Sequence, residues 1–241
     1  MRIIATSVLF LSLGVTALFA DNIKDAESYL NQGIDKHTLQ DFTGAIKDYS
    51  KAIELLPKYA EAYESRGEAK YNLKDYTGAM QDSCKAIQLN PEYSKAYSVR
   101  GRTKCDLQYY TGAIQDFNKA IELDSKNAEA YGSRGEAKYR LRDYTGAIQD
   151  SCKAIELNPK DVEAYCCRGA AKLNLHDYTG AIQDYNKAIE VSPKYGDAYY
   201  LRGLAKEGLK DKWGALEDLS KAGELGKTKA YEEIQRIQKG G

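Results

Sequence analysis

The residues of this 241-residue chain whose types could do chemistry are few. Five cysteines stand at Cys84, Cys105, Cys152, Cys166 and Cys167, and an odd number leaves at least one thiol over in any disulfide scheme. Cys166 and Cys167 are adjacent, and on one helical turn they would point apart, a poor geometry for a bridge. A zinc site wants four Cys/His-type ligands at short spacings. Here no Cys-x-x-Cys occurs, and His37 and His176 lie in different stretches of the chain. Neither histidine belongs to a His-Glu-x-x-His run, and no Gly-x-Ser-x-Gly is present around which a serine hydrolase could be built. The run "GELGKT", Gly223 to Thr228, is similar to the end of a phosphate-binding loop. The loop's first glycine would fall at Lys221, however, and no strand pattern precedes it. These residues argue against an enzyme, and against a metal or other cofactor.

Charge recurring at fixed spacing is of another kind. Arg66, Arg100, Arg134, Arg168 and Arg202 each precede a glycine, and each is followed sixteen residues later by an acid: Asp82, Asp116, Asp150, Asp184 and Asp218. The guanidinium fork matches a carboxylate bidentately, and charges seldom sit near a core unpaired. The spacing predicts a partly buried ladder of Arg–Asp pairs between facing helices. Gln32 stands where the first arginine would be, which would leave Asp48 with an incomplete pair. In the competing arrangement the arginine stems pack and their heads reach solvent.

The elements that must position these residues follow from a second regularity. "YTGAIQD" occurs letter for letter from Tyr110, Tyr144 and Tyr178, with looser copies from Phe42, Tyr76 and Lys212, so the phrase returns every 34 residues. A catalytic site is built once per domain, whereas a phrase repeated at one period is a structural unit in series. In the stretch Ala60 to Tyr93, Tyr63, Gly67 and Tyr71 recur at steps of four, and Ala79, Ser83, Ala86 and Ile87 at steps of four, three and one. Both are stripes on one face of an α-helix. "LKDY" separates the two and Asn90-Pro91 ends the second, giving a helical hairpin. Glycine inside a helix costs about 1 kcal/mol against alanine, yet it recurs at Gly33, Gly67, Gly101, Gly135, Gly169 and Gly203. Alanines at 45, 79, 113, 147, 181 and 215 face these glycines and complete a close helix–helix approach. In the seven-residue phrase Tyr packs, Thr is expected to cap the second helix, and Gly-Ala to allow the approach. Cys84 and Cys152 replace Ser50, Asn118, Asn186 and Ser220 in phase and read as small filler side chains. With 35 basic and 35 acidic residues the chain offers no simple electrostatic case for nucleic acid. No linker or long single-sign run marks a second domain.

The unit resembles the tetratricopeptide repeat (TPR), with its aromatic, Gly/Ala, aromatic, Ala, Ala and Pro positions at Tyr63, Gly67, Tyr71, Ala79, Ala86 and Pro91. The resemblance covers six repeats, 26–59, 60–93, 94–127, 128–161, 162–195 and 196–229. It departs at Ser125, which replaces the terminal proline of the third repeat, and in the sixth, where Lys212 replaces Tyr. It implies an all-α fold, a right-handed superhelical solenoid of helical hairpins. Residues 230–241 then read as a C-terminal capping helix and tail, with Tyr231, Ile234 and Ile237 inward. The resemblance also implies that the first helices line a concave groove holding a protein or peptide segment. Groove candidates are Glu64, Glu68, Tyr71, Asn72 and Arg102, then Glu136, Tyr139, Arg140, Leu173 and Tyr200. Acids outnumber bases across the groove-facing positions, which points to a basic or mixed peptide that also offers an apolar side chain to Tyr71 and Tyr139. The Lys/Asn/Arg clamp of chaperone-tail-binding TPRs is not matched: its positions hold Leu30, Ile34, Ser65, Lys95 and Val99, of which only Lys95 fits.

The first twenty residues differ from the rest. "MRIIATSVLFLSLGVTALFA" has Arg2 as its one charge, then an apolar run ending at the small Ala20, the pattern of a secretory signal peptide. Leu18 stands where a small residue is preferred, and the 18 uncharged residues from Ile3 to Ala20 are long enough for an uncleaved anchor. Both readings carry the repeats across the membrane from Arg2, with residues 21–25 as a short lead-in. The expectation is a non-enzymatic exported TPR scaffold, periplasmic or secreted, with a protein or peptide partner. The alternatives are a membrane-anchored envelope assembly component, if residues 3–20 remain, and an accessory subunit of an enzyme complex.

Overall fold

Helix follows helix because every repeat carries the same two stripes, with a terminal proline in four of the six. The computed structural model describes residues 21–239, and α1 occupies residues 21–38. Then come α2 (Phe42–Leu55), α3 (Ala60–Asn72), α4 (Tyr76–Leu89) and α5 (Ser94–Asp106). These belong to one compact unit that runs to Leu107. A second unit starts at Gln108 and holds α6 (Tyr110–Leu123), α7 (Ala128–Arg140), α8 (Tyr144–Leu157), α9 (Val162–Asn174), α10 (Tyr178–Val191), α11 (Gly196–Gly208), α12 (Lys212–Glu224) and α13 (Lys229–Gln238). The fold is all-α, and no strand occurs among the described residues. No helix among them is long and apolar enough to cross a membrane. The signal-peptide or anchor reading falls on residues 1–20, outside the described residues. The boundary between the two units lies between Leu107 and Gln108. It falls inside the third hairpin, at the one tip of six that carries Tyr109 where the others carry aspartate.

The hairpin tips show how each second helix starts. Lys74 lies in the left-handed region at φ 63°, its N–H reaches the Tyr71 carbonyl at 2.8 Å, and the Asp75 N–H reaches the Lys70 carbonyl at 2.9 Å. This paired closure is a Schellman turn, here without the usual glycine. Gln40, Gln108, Arg142, His176 and Lys210 adopt φ between 62° and 65° at the same phase. The next residue is Asp in five of the six tips. Asp41, Asp75, Asp143, Asp177 and Asp211 each accept the N–H of the phrase's glycine at 2.9 Å. The cap is therefore this aspartate and not the expected threonine. A Cβ on Gly78 or Gly146 would run into the Asp75 or Asp143 carboxylate, so this glycine makes room for the cap. Helix α6 starts after Tyr109 and has no side-chain cap.

The other glycines work at the helix–helix contact. In the first unit a Cβ on Gly67 would stand 3.3 Å from Asp82 Cβ and 3.4 Å from the Ala79 carbonyl. In the second, one on Gly169 would stand 2.8 Å from the Tyr185 ring, and one on Gly203 3.2 Å from the Ala215 carbonyl. The facing alanines are fully buried. At the C-terminus α13 closes the second unit with Ala230 and Ile237 buried and Ile234 half-buried against Ala215, Leu219 and Ala222. Tyr231, expected inward, is 49 % exposed, its ring lying along Gly223; Ala230 takes the inward place.

Candidate functional site

The regular charges form a structural network. In the first unit Arg66 donates to Asp82 through Nε (2.8 Å) and Nη2 (2.7 Å), and Lys70 Nζ reaches the same carboxylate at 2.7 Å. Arg66 also lies 5.5 Å from the Tyr63 ring centroid and donates to Ser50 Oγ of the preceding repeat at 3.1 Å. In the second unit Arg134–Asp150, Arg168–Asp184 and Arg202–Asp218 have Nη2–Oδ1 distances of 2.6 Å, each with a lysine at 2.8 Å: Lys138, Lys172 and Lys206. Their Nη1 groups reach Asn118 (2.7 Å), Cys152 (3.2 Å) and Asn186 (2.6 Å) of the preceding repeat. Arg100 donates to Cys84 Sγ at 3.6 Å, and Asp116 belongs to the other unit. The fourth member of each cluster, the lysine four residues after the arginine, was visible in "SRGEAKY" and missed. In the first repeat Lys36 fills the lysine's place at 2.5 Å from Asp48, while Gln32 stands where the arginine would be. Cys84 and Cys152 are exposed acceptors for arginine heads and not buried filler. Carboxylates held by two cations are committed to the fold, and this network offers no reacting group.

The face of α3 and α5 in the first unit is occupied by its own side chains. Glu64, expected to line a groove, is buried: Tyr93 donates its hydroxyl to it at 3.1 Å, and burial, with Glu68 nearby, pushes its carboxyl up to about 7. Large neighbours on both sides and a phase shared with Leu30 explain why an acid sits here below the surface. Arg102 pairs with Glu68 at 2.9 Å and lies over Tyr71, 4.6 Å from the ring centroid. Asn72 hydrogen-bonds His37 at 3.0 Å.

The second unit has an open cleft of about 450 Å³ on the α7, α9 and α11 faces. It brings together three predicted residues of α7, Glu136, Tyr139 and Arg140, with Tyr200 of α11. Leu173 is not among its lining residues and packs instead on the Tyr185 cluster. Burial, with the Glu233 carboxylate of α13 nearby, raises the hydroxyl pKa of Tyr200. Small side chains form the floor, with Ala164, Cys166 and Ala170 all nearly buried. Burial pushes the thiols of Cys166 and Cys167 up to about 12 and about 11, so both are neutral and poor nucleophiles near pH 7. Five carboxylates line the cleft, Glu129, Glu136, Asp161, Glu163 and Asp197, against the single guanidinium of Arg140. These carboxylates have partners within the chain: Asp161 caps α9 at the Ala164 N–H (2.9 Å), Asp197 pairs with Lys227 (2.5 Å), Glu136 pairs with Arg140 (3.1 Å), and Glu129 and Glu163 have interactions of their own. Asp161 and Tyr195 come from the turns before α9 and α11; only the variability of that position among the repeats hinted at them. No group of three or more potential ligands for a metal ion occurs among the described residues.

Comparison with known proteins fits this geometry. Family profiles described as TPR repeat match residues 36–74, 101–142 and 174–209, and others described as tetratricopeptide repeat match 60–93, 128–161 and 153–183. The chain belongs to the tetratricopeptide-repeat family. Among solved structures, this TPR chain is similar to MamA at 30% identity, covering 68% of this chain and 96% of that one, with a TM-score of 0.60. YrrB, described as a TPR protein with an unusual peptide-binding site, is 25% identical over 74% of this chain and 92% of its own, with a TM-score of 0.61. A TPR protein from Parabacteroides merdae matches the fold across 98% of both chains at 24% identity and a TM-score of 0.64. A search of curated proteins returned no match.

Proposed function

We propose that this TPR protein is a non-enzymatic scaffold that binds a segment of another protein in the cleft of its second unit. The observation that carries this reading is the cleft itself. It combines a preformed concavity, aromatic walls at Tyr139 and Tyr200, and a carboxylate excess that suits a basic segment with an apolar side chain. The cleft is built on the first helices of three successive repeats, where an extended segment can touch several units at once. The resemblance to YrrB supports a peptide as the ligand class. Selection from a random peptide library tests it, with the full-length chain and a Glu136→Lys, Tyr200→Ala variant as paired baits. Basic sequences recovered on the first and lost on the second are expected. Sequences recovered equally on both would move binding out of the cleft.

The apolar start of the chain supports an exported location, with the repeats beyond the cytoplasmic membrane. The same 18-residue run also favours a second form, a membrane-anchored envelope component. Intact mass of the native protein separates them: loss of the first twenty residues means cleavage, and their retention means an anchor.

A further inference from the structure

We infer that the cleft of the second unit is a receptor for an arginine side chain of the bound segment, a refinement that rests on the peptide-binding reading above. The chain contains its own template. The second and fourth repeats are near copies, and a shift of 68 residues maps Glu68 onto Glu136, Tyr71 onto Tyr139 and Asp106 onto Asn174. In the first unit Arg102 of α5 fills the space beside these residues. Its Nη2 donates to Glu68 at 2.9 Å, and its guanidinium lies 4.6 Å from the Tyr71 centroid. The Asp106 carboxylate lies near the Tyr71 hydroxyl and, after burial, raises its pKa.

The second unit repeats the receptor without the guanidinium. Tyr139 is held from the same position, accepting a hydrogen bond from Asn174 at 3.2 Å, and Glu136 stands one turn before it. The residue in the place of Arg102 is Ala170, whose side chain ends at Cβ. Glu136, Tyr139 and Ala170 all line the cleft. The space that a guanidinium takes in one unit is therefore open in the other. A planar guanidinium can stack on the ring and donate to the carboxylate at once; a lysine ammonium cannot match that geometry. Arg140 stands where the first unit has Asn72 and holds Glu136 at 3.1 Å. Both partners are more than half exposed, and an exposed pair one turn apart gives way readily to a better-placed cation.

The test uses full-length protein carrying 13C-labelled tyrosine, with the Tyr139 signal assigned from its loss in Tyr139→Phe, titrated with N-acetyl-argininamide and N-acetyl-lysinamide. The arginine probe is expected to shift Tyr139 about fivefold more than the lysine probe at equal concentration. Ala170→Arg rebuilds the first-unit arrangement and should abolish the response, while Arg140→Asn should roughly double the affinity. If Ala170→Arg fails to fold, Glu136→Gln serves in its place and should reduce the response. Equal shifts from the two probes, or an undiminished response in both substituted proteins, would overturn the inference. If the arginine probe is silent while library peptides still depend on Glu136, the arginine receptor is wrong and the binding reading stands. If the library also returns nothing, both fall.

Discussion

Glu64 is 4 % exposed, between α3 and the start of α5, and its carboxyl is pushed up to about 7 from 4.5, mainly by burial. Glu68 and Glu61 push in the same direction, while the Tyr93 hydrogen bond and Lys95 oppose them. The folded chain therefore keeps a proton that the unfolded chain releases between pH 4.5 and 7. Stability contributed at this position is highest below that window, falls as pH rises through it, and is flat above; the loss is roughly 3 kcal/mol. Glu64→Gln retains an acceptor for Tyr93 and cannot ionise. Its urea midpoint should match the parent at pH 4.5 and exceed it at pH 8; equal midpoints at pH 8 would show that the carboxylate is solvated. The thiols divide in a similar way. Cys84 and Cys152 are exposed, whereas Cys166 and Cys167 are buried or half-buried with raised pKa values. Brief alkylation of the native protein with iodoacetamide at pH 8 should modify the first two and spare the adjacent pair, as read by peptide mass spectrometry. Single residues were the least legible level in the sequence. Periodicity gives the face of a helix, but Glu64 lies one turn from the exposed Glu61 on the same helix, and only the packed Tyr93 reveals that it is covered.

Helices were legible because their small-residue stripes recur at one phase and because a turn sequence separates the two helices of every hairpin, five of the six tips ending in a capping aspartate. Caps were misassigned for a physical reason: threonine and aspartate are both good N-caps, and only the chain geometry shows which one reaches the free N–H groups. Helix α6 supplies a test. Tyr109 stands at its N-cap with φ −85°, close to the −79° of Asp143 at the corresponding position, and makes no side-chain cap bond. Tyr109→Asp should add about 1 kcal/mol of stability, seen as a raised urea midpoint. Glycines give a sharper contrast. Gly169 packs its Cα against the fully buried ring of Tyr185, and a methyl there would stand 2.8 Å from it. A methyl on Gly132 would meet its nearest atoms, Ala154 Cβ and Asp161 Oδ2, at an ordinary contact distance of 3.8 Å. Gly169→Ala should cost roughly 2 kcal/mol by overpacking, and Gly132→Ala should gain up to about 1 kcal/mol of helix propensity. Equal effects at the two positions would mean that the close approach does not constrain the fold.

Within each unit, repeats couple to their neighbours, and the arginines make that coupling explicit: Arg66 and Arg100 in the first unit, and Arg134, Arg168 and Arg202 in the second, each reach the second helix of the preceding hairpin. Such an array loses stability from the end at which a lesion is placed, in contrast to a single cooperative core. Helix α13 is the lesion to make. It covers Leu219 and Ala222, anchors Arg236 to Glu207 at 2.6 Å, and belongs to the apolar cluster on which Tyr200, a wall of the cleft, packs. A chain ending at Lys227 exposes the apolar face of α12 and releases Tyr200. Hydrogen exchange should then show protection lost most in α11 and α12, less in α9 and α10, and not at all in α1 to α5. The cleft should weaken with it, so peptides selected on the full chain should bind the shortened one at least about tenfold less tightly, the loss of about 1.4 kcal/mol. Protection falling evenly along the chain would instead make the repeats one cooperative body. Unchanged protection in α11 and α12 would mean that the sixth repeat holds itself together without its lid, and that Tyr200 is positioned by α11 alone.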